Sequence, residues 1–450
     1  MSFKKLLALT VMVSCFQISF AQKKTTSQPS HRTWSSQSNI YEVNLRQFTT
    51  SGSINEFSKH LSRLRKMGVE ILWFMPVTPI GIEGRKMTSA DLGSYYAVRN
   101  YKAINEEFGT MNDFKKMVKK AHDLGFKVIT DWVANHSALD NHWVKAHPNF
   151  YSKDSTGKLI SPFDWTDVYK LNYNDRELRD SMIDAMQFWI KETGIDGFRC
   201  DVAEDVPADF WKECINTLKK SKPVYMLAEG NKAWLHDAGF DQTYTWDMMG
   251  VTSNLYAGKI NLQQFDSSLN ASIAQYPKNA YRLYFTSNHD ENSWNGTEYE
   301  KYGDAYKTFA VFSQTIYQSV PLIYNGQEAP NKRRLKFFVK DPIEWGNYSL
   351  TGFYKTLLNL RRSTPALAAD ASYRRLKSTN DDAVFSYIRE KSGRKVVVVL
   401  NMSSKEQKFS IKDKAINGNP MNVFLMQNEK ISDTHEFSIE PWGYIIYNYR

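Results

Sequence analysis

One pattern repeats along most of the chain: an amphipathic helix, a glycine or proline, and a short apolar strand that ends in a polar residue. In the first copy Phe57, Leu61, Leu64 and Met67 fall at helical spacing, Gly68 follows, and VEILWFMP is typical of a buried strand. Further copies end in FKVITDW, IDGFRCD, PVYMLAEG, YRLYFTSNHD and VPLIYNGQE. Helices alternating with apolar strands predict a parallel sheet covered on both faces, and at least six such strands favour an α/β fold closed as a (β/α)8 TIM barrel.

The pattern changes after Ala371. Short alternating strands follow, namely AVFSYI, KVVVVLN, QKFSI, MNVFLM and YIIYNY. We therefore predict a barrel over residues 39–371, with a short excursion after strand 3 at about residues 137–161, and a C-terminal antiparallel β-sandwich over residues 372–450.

The N-terminus has the features of a signal peptide over residues 1–21. Lys4 and Lys5 precede an apolar run that reaches Phe20, and Ser19-Phe20-Ala21 offers a small-x-small cleavage site. A polar tether over residues 22–38 follows, and we expect an exported protein, periplasmic or extracellular. A membrane-spanning N-terminal helix and a lipid anchor through Cys15 are the alternatives. No later apolar run reaches about 18 residues, so the mature chain is expected to have no transmembrane segment.

The charge of the chain does not indicate a nucleic-acid partner. The formal net charge is +10, but several lysines lie in the leader and tether, and the run Lys332-Arg333-Arg334 is typical of a solvated loop. Beyond Cys15 only Cys200 and Cys214 remain, too few for a disulfide framework. A monomer is expected, although the sequence leaves the oligomeric state open.

Acidic residues end several of the predicted barrel strands, at Asp131, Asp201, Glu229 and Asp290. Because a barrel carries its active site at the carboxyl ends of its strands, these carboxylates should converge. Converging carboxylates favour a glycosidase, in which one ionised carboxylate attacks the sugar and one protonated acid supports the leaving oxygen. Metal-dependent hydrolysis, the competing chemistry, would need histidines at ligand spacing such as H-E-x-x-H, and the chain has no such motif.

The local sequence gives Asp201 and Glu229 different surroundings. Arg199 and Asp201 should point together into the barrel mouth while Cys200 points outward, so the arginine should keep Asp201 ionised. Glu229 follows the apolar VYMLA, a setting that raises the pKa of a carboxyl group and suits a general acid.

These residues resemble the α-amylase family, glycoside hydrolase family 13, over nearly the whole mature chain. DWVANH (residues 131–136), GFRCD (197–201), Glu229 and SNHD (287–290) resemble the four conserved regions of the family, and VPLIYNGQE resembles its eighth-strand segment. The resemblance implies that Asp201 is the nucleophile, Glu229 the acid/base, and Asp290 the third acid, which holds sugar hydroxyls. It implies substrate contacts from Tyr96, His136, Arg199 and His289, with Trp294 as a further stacking candidate.

Two positions depart from the family pattern. Typical α-amylases have lysine and histidine three and four residues after the nucleophile, where this chain has Glu204 and Asp205, so its acceptor-side contacts are expected to differ. In VYKLN, Lys170 replaces the aspartate that often binds a structural calcium ion, although Asn135 is retained. An ammonium group beside a dication is unfavourable, so we predict no metal site there and no required cofactor.

The predicted function is retaining hydrolysis of α-glucosidic bonds, mainly α-1,4, in starch-derived glucans or maltooligosaccharides. The excursion after strand 3 is predicted to be short and to leave the cleft open. Two alternatives remain: an α-glucan transglycosylase with the same site, and a non-catalytic carbohydrate-binding homologue.

Overall fold

The computed structural model describes residues 31, 33–85 and 90–450, so the predicted signal peptide lies outside the described residues. Eight parallel strands form the first sheet, and each pairs with the next along the chain, with β8 beside β1. The strands are β1 Ile40–Val43, β2 Ile71–Phe74, β3 Lys127–Val133, β4 Gly197–Asp201, β5 Tyr225–Ala228, β6 Gln242–Tyr244, β7 Tyr281–Leu283 and β8 Leu322–Tyr324.

Backbone hydrogen bonds close the sheet between β7 and β8. The Val320 amide donates to the Arg282 carbonyl and the Leu322 amide to the Tyr284 carbonyl, both at 3.0 Å. The predicted (β/α)8 barrel is therefore confirmed.

Strands β1 and β6 are absent from the sequence prediction. They are three or four residues long, and each buries a polar side chain inside the barrel, Glu42 in β1 and Gln242 in β6. Strands are recognised in a sequence mainly from runs of apolar residues, so a short strand that contains a polar residue is easily missed.

Helices surround the barrel and end where the sequence indicates. Gly68, at φ +107°, terminates α3, and Gly194, at φ +74°, terminates α6, which begins after Asp175 with a side-chain hydrogen bond to the Leu178 amide. The helices are α1 Leu45–Phe48, α2 Ile54–Ser58, α3 Leu61–Met67, α4 Met111–Asp123, α5 His142–Ala146, α6 Arg176–Thr193, α7 Ala208–Ser221, α8 Trp234–Asp237, α9 Trp246–Tyr256, α10 Leu262–Ala274, α11 Glu298–Tyr302, α12 Tyr306–Thr315 and α13 Thr351–Ser363. In the described ranges no helix combines the length and apolar character needed to cross a membrane.

The excursion predicted at residues 137–161 extends further in the structure. His136–Ala138 and Val168–Lys170 pair as an antiparallel ribbon, and the chain reaches α6 only after Asp175. The ribbon places residues 163–168 over the barrel mouth instead of leaving that side open.

The C-terminal part is a sandwich of a six-stranded and a two-stranded antiparallel sheet, which confirms the predicted sandwich. Its strands are β9 Ser372–Leu376, β10 Val384–Lys391, β11 Arg394–Asn401, β12 Gln407–Ser410, β13 Met421–Asn422, β14 Gln427–Asn428, β15 Glu436–Ile439 and β16 Tyr444–Tyr449. Along β11, Val397 and Val399 pack inside the sandwich, while Val396, Val398 and Leu400 pack against the barrel helices. Alternation thus lets one strand bury both faces.

The predicted strand MNVFLM is wrong. Met421 and Asn422 pair as β13, and the chain then turns into β14, which leaves Leu425 and Met426 exposed at the hairpin tip. The segment has strand-forming residues, but only Val423 and Phe424 pack against apolar neighbours, and the next two residues form the tip of the turn.

Candidate active site

A cavity of about 460 Å³ opens at the carboxyl ends of the barrel strands. It is lined by six of the predicted site residues, namely Tyr96, His136, Asp201, Glu229, Asp290 and Trp294. The other two, Arg199 and His289, are buried and contact the residues that line it. The structure therefore brings all eight predicted residues to one place.

Arg199 joins the carboxylates of three strands. Its Nη1 lies 2.8 Å from Oδ1 of Asp201 and 2.9 Å from Oδ1 of Asp131, and its Nη2 lies 3.0 Å from Oε2 of Glu229. The guanidinium is fully buried, and its Nε donates to the Tyr244 hydroxyl at 3.2 Å. Because Nη1 hydrogen-bonds Asp201 while Nη2 lies within ion-pair distance of Glu229, one cation contacts both acids.

Burial and charge both shift the pKa values of Asp201 and Glu229. Burial raises the pKa of Asp201 to about 6, although Arg199 lowers it. Burial also raises the pKa of Glu229 to about 7, again against Arg199, with Asp201 and Asp290 adding to the rise. Arg199 thus favours the ionised form of Asp201 as expected, but burial has the larger effect and raises the pKa of both acids.

Tyr96 and His289 form a second hydrogen-bonded group beside the acids. The Tyr96 hydroxyl contacts Nε2 of His289 at 2.7 Å and donates to Oδ2 of Asp131 at 3.2 Å. Nδ1 of His289 lies 2.5 Å from Glu42, and Nε2 lies 3.3 Å from Asp290. Burial lowers the pKa of His289, but Asp290 and Glu42 outweigh it and raise the pKa to about 9, so the ring is a cation at neutral pH.

His136 lies on the other side of Asp201. Its Nε2 is 4.0 Å from Oδ2 of Asp201, and burial lowers its pKa to about 3, so the ring is neutral. A neutral imidazole can donate one hydrogen bond to a sugar hydroxyl without adding charge to the pocket.

The residue after Asp201 has an unusual backbone conformation. Val202 has φ +42°, which is rare for a β-branched residue, and its amide donates to Oε2 of Glu229 at 2.9 Å. The left-handed turn therefore directs a backbone donor at the second acid, and such strain is typical of functional sites.

A buried arginine holds two walls of the cavity together. Nη1 of Arg46 donates to the carbonyls of Gly93 at 3.0 Å and Phe337 at 3.2 Å, and its guanidinium lies 4.0 Å above the ring of Tyr95. Gly93 and Phe337 both line the cavity. Arg46 therefore links the loop after β2, which carries Tyr96, to the loop after β8.

Several site residues were missed from the sequence. They are Glu42, Trp73, Tyr244, Trp165 and Phe337. Glu42, Trp73 and Tyr244 lie on barrel strands and are fully buried, so they look like core positions until their partners are known. An isolated acid within the IYEV segment was the one available signal for Glu42.

Lys170 and Asn135 mark the position at which the sequence predicts no calcium site. Lys170 pairs with His136 across the ribbon, and the Asn135 amide lies 3.3 Å from Nδ1 of His136. Within the described ranges, no three His, Cys, Asp or Glu side chains come together as a metal site.

A closed barrel that gathers an ionisable pair of carboxylates at the strand ends is the arrangement used by carboxylate-based glycosidases. The chain matches the model of the family described as alpha amylase, catalytic domain, over residues 19–170 and 153–336. The chain therefore belongs to the alpha-amylase family.

Relatives support the same family. Alpha-amylase MalA of Haloarcula japonica is 27% identical over 82% of this chain, and a cyclomaltodextrinase of a Bacillus species is 26% identical over 78%. The chain spans only 56% and 65% of the lengths of these two relatives. The crystal structure of a noncanonic maltogenic alpha-amylase from Thermotoga neapolitana superposes with a TM-score of 0.84 at 29% identity, covering 92% of this chain and 99% of that one.

Proposed function

We propose that the protein is a retaining glycoside hydrolase that cleaves α-glucosidic bonds, mainly α-1,4, in starch-derived glucans or maltooligosaccharides. The observation that carries the proposal is the bridging of Asp201 and Glu229 by Arg199 at the floor of a cavity that Asp290 also lines. Relatives named alpha-amylase, cyclomaltodextrinase and maltogenic alpha-amylase support the substrate class.

The reaction is a double displacement. A carboxylate oxygen of Asp201 attacks the anomeric carbon and forms a glycosyl ester, while Glu229 gives its proton to the departing glycosidic oxygen. Glu229, now ionised, takes a proton from water, whose oxygen attacks the same carbon and releases Asp201. Two inversions retain the α configuration, and the two carboxyl groups should lie roughly 5 to 5.5 Å apart.

The remaining residues hold the reacting sugar. Asp290 and the His289 cation offer an acceptor and a donor to the hydroxyls, and His136 offers a neutral donor beside Asp201. Tyr96 presents a partly buried aromatic ring at the cavity wall. On the acceptor side, Oε2 of Glu204 accepts from the Asn231 amide, so this chain presents a carboxylate where typical family members present a cation.

We also propose that the protein needs no calcium ion at the Lys170 position, that it is exported after removal of residues 1–21, and that it acts as a monomer. The leader proposal rests on the composition of residues 1–21, and N-terminal sequencing of the exported protein tests it. A mature protein that begins at Cys15 would favour the lipid-anchor alternative.

The decisive experiment is the product profile on soluble starch, maltoheptaose and pullulan. Wild type should release saccharides, Asp201→Asn should lose at least about 1000-fold in kcat, and proton NMR should show α-anomers first. Asp237→Asn, an exposed acid on α8, is the matched control and should act as wild type. Products longer than the substrate would favour the transglycosylase, and an inactive wild type that still binds maltoheptaose would favour the binding homologue.

A further inference from the structure

Two aromatic side chains stand exposed on the excursion beside the cavity. Phe163 is 65% exposed and Trp165 37% exposed, and their ring centroids are 4.8 Å apart. Trp165 lines the cavity, and its ring packs edge-on against His136 at 5.2 Å. The pair therefore extends the cavity wall outward from the sugar-binding residues towards solvent.

The backbone at this pair is strained for no evident packing benefit. Phe163 has φ +50°, a left-handed conformation that costs a bulky residue free energy, and its side chain remains mostly in solvent. Two exposed aromatic rings beside a polar cavity, one of them on a disfavoured backbone, are typical of a ligand-binding surface.

The opposite wall of the cavity is also aromatic. Trp294 is half exposed, and its ring lies 5.3 Å from that of Phe337, which also lines the cavity. Arg46 holds the Phe337 loop in place, whereas Phe163 and Trp165 belong to the excursion. The cavity thus lies between two aromatic walls with the acids at its floor.

We propose that Phe163 and Trp165 form a platform that binds a glucosyl unit of the substrate chain outside the sugar that reacts with Asp201. The C–H face of a glucosyl ring is apolar and packs on an aromatic ring, while its hydroxyls stay in water at the rim. This platform rests on the proposed function for its ligand class. It makes the excursion a determinant of preference for long glucan chains.

The test compares a long and a short substrate. For Phe163→Ala, whose side chain lies outside the cavity lining, KM for maltoheptaose should rise about 3- to 10-fold, and kcat/KM for the shortest maltooligosaccharide that the wild type cleaves should stay within about 2-fold. Met426→Ala is the matched control because Met426 is also exposed, has φ +55° and lies in the C-terminal domain. An equal loss on both substrates, or no change on either, overturns the platform.

The variant Phe163→Gly distinguishes a role of this side chain in substrate binding from a role in the stability of the fold. Glycine relieves the positive φ, so Tm should stay unchanged or rise by about 1 to 3 °C while KM for maltoheptaose rises. A lower Tm with no selective change in KM would mean that Phe163 serves packing alone.

A binding measurement tests the platform independently of the catalytic proposal. Calorimetry gives the Kd of maltoheptaose for Asp201→Asn and for the same variant that also carries Trp165→Ala. The second substitution should weaken Kd about 3- to 10-fold even if the wild type proves inactive. An unchanged Kd overturns the platform without affecting the assignment of the acids.

Discussion

Nη1 of Arg199 donates a hydrogen bond of 2.8 Å to Oδ1 of Asp201, two residues further along the same strand. Residues two apart share one face of a strand, so the pairing follows from the local sequence GFRCD. The contacts of the same guanidinium with Asp131 and Glu229 cross to neighbouring strands and depend on the closed barrel.

Arg199→Lys should lower kcat/KM at least about 100-fold, because one ammonium group cannot bridge two carboxylates as a guanidinium does. Loss of the bridge also raises the pKa of Asp201, so the acid limb of the pH profile should move to higher pH. Arg389→Lys, a buried arginine of the C-terminal sheet, is the control and should change Tm but not the profile. An unmoved acid limb in Arg199→Lys would contradict this role.

The pH profile of kcat/KM should be a bell whose limbs both lie above the ordinary carboxyl range, because Asp201 must be ionised and Glu229 protonated and burial raises the pKa of both. With an α-maltosyl fluoride, whose leaving group needs little protonation, Glu229→Gln should keep the acid limb and lose the alkaline one. Persistence of the alkaline limb in that variant would assign it to another group.

Glu229 should lower stability at alkaline pH. The pKa of this carboxyl group is raised from its ordinary value of 4.5, which applies to the unfolded chain, to about 7 in the folded protein. The stability that the protonated group contributes is therefore fully present below pH 4.5 and is lost as the pH rises through 7. Glu229→Gln should therefore match the wild type in Tm near pH 4.5 and exceed it at pH 8, by about 1 to 3 kcal/mol in unfolding free energy. The exposed Glu436→Gln should show no such pH dependence, and a difference that is constant with pH would refute the burial effect.

Calcium should leave the wild type unaffected. Thermal melts in EDTA and in excess calcium should agree within about 1 °C, because Lys170 places an ammonium group where a ligand is needed. Lys170→Asp should create a calcium-dependent rise in Tm, whereas the exposed Lys158→Asp should not. A wild-type Tm that rises by about 5 °C or more with calcium would show that the site is intact.

Arg46→Ala should destabilise the protein by about 2 to 4 kcal/mol, because it leaves buried carbonyls of Gly93 and Phe337 without a donor. Arg46→Lys should recover part of this loss. Urea denaturation measures both changes, and KM for maltoheptaose should rise in parallel as the two walls separate. Unchanged stability in Arg46→Ala would mean that water replaces the guanidinium.

The fold and the acids were predictable, but their surroundings were less so. Gly68 and Gly194 marked helix ends, and the apolar strands were found wherever they exceeded four residues. Strands β1 and β6 and the hairpin at residues 421–428 were not, because a short strand that buries a polar residue and a turn both lack a clear apolar run. Glu42 appeared as an isolated acid, and only its contact with His289 shows that it belongs to the site.

The sequence by itself determined the barrel, the C-terminal sandwich, the family and the convergence of the acids at the strand ends, since these depend on local periodicity and on short motifs. The tertiary structure decided which groups share Arg199, how the excursion covers the barrel mouth, and that burial raises the pKa of both Asp201 and Glu229. These properties depend on distances between residues far apart in the chain and on burial from solvent, neither of which local sequence specifies.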